Sequence, residues 1–283
     1  MLSLHTNSSS LAAMNAFDRA SRAQSASATR LSTGYRINSS MDDAAGLQIA
    51  TRLESQMSGT QVAMRNIQNG ISLMQVTDGV LDSMSSMLVR MNELAIQAGD
   101  ASSSQEDKLA LQTEFNEMYR QLWRTADVTY NGEHLMISHV GETAKFYKPM
   151  SFQIGADSSE AMQVDFNEVQ NYIGSGFRYT DPTDLVDLLT NHASQAIDDT
   201  SKAIEAMASA RSIVGAVANR LDSSYRTLSN LLENTTVAHG RITDTDFAAE
   251  SAQAVSSQML MQSSSTMLKQ ADKVKELALS LLQ

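Results

Sequence analysis

The sequence predicts a mainly α protein: long antiparallel helical hairpins of coiled-coil character forming a rod, with a small β-hairpin region in the middle of the chain. Three observations carry that prediction. Apolar residues recur at three- and four-residue steps over several heptads, the spacing of a helical seam. Two prolines in 283 residues leave long stretches free of helix breakers. Both prolines and most of the aromatics fall between residues 127 and 183, where alternation of apolar and polar residues replaces the helical rhythm.

Composition narrows the class. Hydrophobic residues make up 42% of the chain but aromatics only 5%, and much of the apolar count is alanine and methionine. With Ser, Thr, Asn and Gln abundant at both ends, the terminal helices carry thin apolar stripes, and we expect them to be largely unordered in the isolated subunit. The net charge of -11 favours a solvated surface and argues against nucleic acid as a partner. The absence of cysteine excludes disulfides, thiol catalysis and thiolate metal sites. No run approaches the ~18 apolar residues of a membrane span. The opening MLSLHTNSSS has neither the basic run nor the apolar stretch of a cleaved secretory signal. An extracellular destination therefore predicts export by a route that reads no such signal.

A weakly amphipathic helix is expected over about 4–33, with Leu4, Leu11, Met14, Phe17 and Leu31 set among small polar residues. Arg30 to Arg52 (RLSTGYRINSSMDDAAGLQIATR) then stops one helix and starts another. Gly34 suits the left-handed cap that ends a helix. Asn38, Ser39 and Ser40 are turn and capping types. Asp42 and Asp43 place negative charge at the following helix's positive end. Ala44, Ala45 and Gly46 keep its first turn slim, so that another backbone can approach.

Helix is expected to resume over Ala44 to Met57 and Gln61 to Gln97. Its apolar rhythm of Met64, Ile67, Ile71 and Met74, then Val80, Met84, Met87, Met91 and Leu94, slips near Asp78 and Gly79. Gly99 to Ser104 is a turn, and Glu106 to Trp123 runs back as the second arm of a hairpin. Asn131-Gly132 signals a tight turn, and Phe152–Gly155 with Met162–Phe166 a β-hairpin. Helix returns at Asp184, with a rhythm through Ile197, Ile204, Met207, Arg211, Val214, Ala218, Leu221, Tyr225, Leu228, Leu232 and Thr235, and an interruption at Gly240. Thr243 to Asp246 cap a last helix whose seam is Leu260, Met267, Val274 and Leu281, one residue per heptad. The chain thus divides into 1–43, 44–126, 127–183, 184–240 and 241–283. Helices with a stripe left uncovered at both ends predict self-association, and a contact that does not close on itself builds a helical filament.

Catalytic chemistry finds no support. His134 and His139 lie near Glu133 and Glu142, but without the HExxH spacing of a metal helix. Gly174-Ser-Gly176 is not a nucleophile elbow. The pairs Asp42-Asp43 and Asp198-Asp199 sit where a helix turn caps or solvates them. Asn234-Thr235-Thr236 matches a glycosylation acceptor formally, yet Thr235 is a seam position. No Walker or Rossmann glycine pattern occurs, so neither enzyme activity nor a cofactor or metal is expected.

The wording of the elbow closely resembles the N-terminal signature of bacterial flagellins. The resemblance extends over nearly the whole chain: Asn69–Ser72 (NGIS), Glu93–Ala95 (ELA), Tyr130–Leu135 (YNGEHL), Phe152–Ala156 (FQIGA), Gly240–Phe247 (GRITDTDF) and Ser280–Leu282 (SLL). It implies a short flagellin without large outer domains, exported unfolded through the flagellar channel and assembled into the extracellular filament for motility. Segments 1–43 and 241–283 would form the inner tube, and 44–126, 127–183 and 184–240 the outer part. Implied partners are other copies of itself, an export chaperone at the C-terminal helix, the filament cap and junction proteins, and a host innate immune receptor, with neither nucleic acid nor membrane among them. Arg90, Leu94 and Glu114 match receptor-contacting positions, while Val89 and Asn92 depart from that motif. Asp272–Glu276 (DKVKE) departs from the Gln-Pro common in the final helix. Arg30, Arg36, Asp42 and Asp43 are the candidates for charged contacts that set subunit register. The alternatives are a hook–filament junction protein, a soluble secreted ligand or adhesin acting through the mid-chain hairpins, and a filament-borne peptidase. The run from Asp42 to Ile49 favours flagellin over the junction protein.

Overall fold

Helix dominates the chain because both of its prolines, Pro149 and Pro182, fall in the mid-chain region and leave the rest free of that helix breaker. The computed structural model describes residues 7–136, 144–176 and 188–280. Their elements are α1 (Ser8–Thr33), α2 (Ala44–Gly99), α3 (Gln105–Ala126), β1 (Thr129–Tyr130), β2 (Glu133–His134), β3 (Met150–Gln153), β4 (Ala161–Val164), α4 (Asn167–Gly176), α5 (Leu188–Asn191), α6 (Ala193–Thr243) and α7 (Phe247–Ser280). They form two compact units, one of 57–232 and one made of 1–56 with 233–283. The mainly helical class with small mid-chain hairpins is as expected.

In the unit of 57–232, α2 and α6 run antiparallel. Asn92 bonds the Ile197 carbonyl and the Thr200 hydroxyl, Arg211 pairs with Asp78 and Asp82 at 2.9 and 2.6 Å, and Gln68 meets Tyr225. The buried stripe of α2 passes from Thr60 through Ala63, Ile67, Gly70, Met74, Thr77, Leu81 and Met84 to Ala98, in alternating steps of three and four. The phase slip expected near Asp78 and Gly79 is therefore absent. Two seam positions are simply not apolar. The buried Thr77 returns its hydroxyl to the Leu73 carbonyl, which removes the cost of burying it. Gly70 makes room for Phe152 and Leu221, which a Cβ there would meet at 3.1 and 3.2 Å. Likewise, the buried residues of α6 include Ala196, Thr200, Ala203, Met207, Ala210, Val214, Val217 and Leu221, with the predicted Leu228 and Thr235 further on, whereas Ile197, Ile204, Ala218 and Tyr225 flank them half-buried. Gly240 does not interrupt α6, which continues to Thr243.

Ser104 opens α3 with a capping box closed by Asp107, and Arg90 to Glu114 with Met87 to Thr125 show α3 returning antiparallel along α2. Both predicted hairpins form. Asn131 and Gly132 take φ of 54° and 81° between β1 and β2, and Phe152 pairs with Met162 between β3 and β4. The region expected to hold only hairpins and loops also contains α4. Its signal was present: Asp165 accepts from the Asn167 amide, and Phe166, Val169, Gln170 and Ile173 recur at helical spacing and are all buried. Phe166 stacks on Phe146 with centroids 4.5 Å apart. The expected start of the next helix at Asp184 lies outside the described residues.

Candidate assembly surface

The second unit is built on α1 and α7, which lie antiparallel: Asn7 donates to the Ala271 carbonyl at one end and Arg30 meets Glu250 at 3.5 Å near the other. Asn7 also caps α1 by accepting from the Ser9 and Ser10 amides. The faces that meet are made of small residues. On α1 they include Ala13, Ala16, Ala20 and Ser27; on α7, Ala254, Ser257, Ser264 and Ala271, with Met261 and Leu268 between. An alanine seam lets helices approach closely but hides little area, about 0.8 kcal/mol per buried methyl-sized group.

The large apolar side chains point elsewhere. Leu11, Met14 and Phe17 on α1 are exposed, as are Phe247, Val255, Met259, Leu260 and Met267 on α7. Val255, Met259 and Leu260 line a shallow depression with Ser251, Ala252, Ser256 and Ser263. Within the subunit, the predicted seam of the last helix faces outward at Leu260 and Met267. Leu260 is 57% and Met267 62% exposed, while the residues packed within the chain are one heptad stripe away, at Ala254, Ser257 and Met261. A seven-residue repeat marks any straight face of a helix and does not say which face is inside. The Val274 side chain and Leu281 lie outside the described residues.

Two elbows join at the end of this unit. Gly34 caps α1 at φ 77°, its amide donating to the Arg30 carbonyl. The Arg36 amide then donates to the Thr243 carbonyl at 2.6 Å, and the Thr245 amide to the Gly34 carbonyl at 2.9 Å, around a bridge of Tyr35 with Asp244. The Arg36 guanidinium reaches the Ile242 carbonyl at 2.7 Å. The two signature segments, some 200 residues apart by sequence, are thus one short antiparallel bridge. Asp246 closes it by capping α7 through the Ala248 and Ala249 amides.

The two aspartates of the elbow divide their work. Asp43 caps α2, accepting from the Gly46 amide at 2.8 Å. Asp42 instead turns back and accepts from the Asn38 and Ser39 amides, which hold its carboxyl below the usual carboxylate range. At Gly46 the nearest neighbours are side chains of its own elbow: a Cβ there would meet the Asp43 carboxylate and, at 2.7 Å, the Ile37 side chain. Arg30, Arg36, Asp42 and Asp43 therefore all have partners within the subunit.

On the other unit, Arg90 bonds Glu114 at 2.8 Å and Glu93 at 3.0 Å, and these carboxylates raise its already high pKa. Leu94 is fully buried, at 0% exposure, so it does not share the exposed surface of Arg90 and Glu114 that the expected epitope requires. Asn92 is engaged with α6. His134 lies 2.7 Å from Asp127, a contact that ties the first hairpin to the end of α3. His139 and Glu142 lie outside the described residues. Thr235, in the formal glycosylation acceptor, is buried. Among the described residues no three His, Asp or Glu converge as a metal site, and no helix is long and apolar enough to cross a membrane.

Long helices with small residues inside the terminal pair and large apolar residues exposed outside it mark the class as a helical structural protein. Comparison with known proteins specifies the class. Residues 4–139 match the bacterial flagellin N-terminal helical region, and 197–282 the bacterial flagellin C-terminal helical region. The chain is 34% identical over 255 residues to a flagellin of Halalkalibacterium halodurans, covering 90% of each. It is 29% identical to polar flagellin F of Vibrio parahaemolyticus, covering 99% of each over an alignment of 381 residues, so that relative carries residues this chain lacks. A putative flagellar hook-associated protein from Vibrio parahaemolyticus shares the fold, with TM-score 0.58 at 15% identity, over 72% of this chain and all of that one. The chain belongs to the flagellin family. It is a structural protein that self-assembles into the extracellular filament of the bacterial flagellum, and not an enzyme.

Proposed function

We propose that the outward face of α1 and α7 is the surface by which one subunit binds the next. Leu11, Met14 and Phe17 would meet Val255, Met259, Leu260 and Met267 of neighbouring copies, with segments 1–43 and 241–283 as the inner tube of the filament. Segments 44–126, 127–183 and 184–240 would form its outer part. The observation that carries this reading is the inversion of size across α1 and α7, with alanine and serine inside the pair and leucine, methionine and phenylalanine outside. Burying a leucine-sized side chain contributes ~1.5–3 kcal/mol. The exposed set therefore holds more driving force for association than the small seam holds for the pair itself. The elbow residues Arg30, Gly34, Arg36, Asp42, Asp43 and Gly46 act in this scheme by fixing the angle at which α1 and α7 are presented.

Seeded polymerisation followed by electron microscopy tests it. Leu260→Asp should leave the monomer's helix content unchanged yet abolish filaments, as should truncation before Asp244. Normal filaments from Leu260→Asp would remove the assigned face.

The same α7 surface, before assembly, is the place for an export chaperone, and the completed subunit would also meet the cap and junction proteins. For a host innate immune receptor, the exposed Arg90–Glu114 pair is the candidate contact, without Leu94. Arg90→Ala should lower signalling in a receptor reporter assay, and unchanged signalling removes the epitope.

A further inference from the structure

The methionines divide by unit. In 57–232 every methionine of the described residues is buried or half-buried, with Met74, Met84 and Met91 at 2% exposure or less. In the α1–α7 unit, Met261 is half-buried in the seam, but Met14, Met259 and Met267 stand on the outward helix faces at 50–63%, and Met41 protrudes from the elbow at 95%. A thioether is the one side chain there that is both apolar enough for a packing surface and oxidisable by mild oxidants.

We propose that Met14, Met259 and Met267 are reversible oxidation sites that switch off assembly of the free subunit. The proposal rests on the reading of their face as the subunit contact. A peroxide transfers one oxygen atom to the sulfur. The O–O bond breaks and an S–O bond forms, the sulfur is oxidised by two electrons, and the peroxide is reduced to water or an alcohol. The product is a polar, chiral sulfoxide in place of a flexible apolar side chain. Placed in an apolar contact without a donor, each sulfoxide should weaken association about tenfold or more. The core sulfurs are screened by burial, so the unit of 57–232 stays folded while the terminal face is altered. Met41 lies off both helix faces and records the dose without being part of the switch.

The test uses the full chain treated with hydrogen peroxide, peptide mass spectrometry to locate sulfoxides, and seeded polymerisation. Sulfoxide should appear at Met14, Met41, Met259 and Met267 well before the buried positions, and filament yield should fall at least about tenfold as the three helix positions react. Whatever filament yield the variant Met14→Leu/Met259→Leu/Met267→Leu gives untreated, peroxide should leave that yield unchanged, although its Met41 is oxidised. Treatment of the oxidised natural chain with both stereospecific methionine sulfoxide reductases should return polymerisation, a readout that needs no substitution. The proposal is overturned if fully oxidised protein assembles normally, if the triple variant is inactivated equally, or if reduction removes the sulfoxides without restoring filaments. Leu260→Asp separates the two ideas. If it blocks assembly while oxidation does not, the contact face stands and the switch falls; if it assembles, the face itself is wrong.

Discussion

The two units of this chain use the same heptad geometry for opposite ends. In 57–232, the seams of α2 and α6 bury large residues among the small ones, with Met74, Leu81, Met84, Leu88, Val214 and Leu221 all at 2% exposure or less, and Phe115, Phe146 and Phe166 add buried aromatic rings from α3 and the mid-chain region. On α1 and α7 of the other unit, the buried positions are Ala20, Ser27, Ala254 and Ser257, and Leu11, Met14, Phe17, Val255, Met259, Leu260 and Met267 are exposed. Apolar area removed from water is the main stabilising term, so the first unit is self-sufficient and the second is not. The difference teaches that a repeat of period seven specifies a face, while the partner helix decides whether that face is buried inside the subunit or left exposed, as the proposed subunit contact requires.

Substitutions that exchange the two strategies should have unequal effects. The largest is expected from Phe166→Ala, which removes one of two stacked rings from a closed core and should cost ~3–5 kcal/mol. The single tryptophan, Trp123, packs against that core, so denaturant unfolding followed by its fluorescence measures the loss. Ala20→Leu should overpack the small seam by ~1–3 kcal/mol. It should raise amide exchange in α1 and α7 above that of the natural chain under assembly conditions, while leaving the Trp123 transition in place; a shift of that transition would mean the units do not unfold separately. Gly34→Ala forces a Cβ into a residue at φ 77° and should cost ~1–2 kcal/mol, read as fraying of the α1 end and of the bridge to Thr243 and Thr245. The smallest effect is acid loosening of the elbow. Asp42 is more acidic folded than unfolded, so its contribution is complete above the ordinary carboxylate pKa and is lost as pH falls through the lowered folded value. Exchange at the Asn38 and Ser39 amides should rise over that window, and Asp42→Asn should flatten the dependence.

Much of the fold was legible because its signals are local. Gly34 at the end of α1, Asn131-Gly132 in the first hairpin, the alternation in β3 and β4, and the restart at Ser104 each depend on backbone preferences of a few residues. What failed to be legible depended on partners distant in sequence. The seam of α2 seemed to slip because Thr77 and Gly70 do not look like core residues until the Leu73 carbonyl and Phe152 are seen beside them. α4 was missed although Phe166, Val169 and Ile173 carry its period, since the surrounding glycines and aromatics suggested loops. Arg30 and Arg36 looked like groups for a neighbouring subunit, yet they meet Glu250 and the Ile242 carbonyl of their own chain.

The sequence by itself determined the class: long helices from a helical period and scarce prolines, hairpins where alternation takes over, and flagellin from the wording of its two elbows. Only the tertiary structure decided which stripe of each helix faces inward. That choice depends on the partner helix opposite. α1 and α7 select each other through alanine and serine because small residues permit close approach along the whole length, and by doing so they turn Leu260 and Met267 out to water.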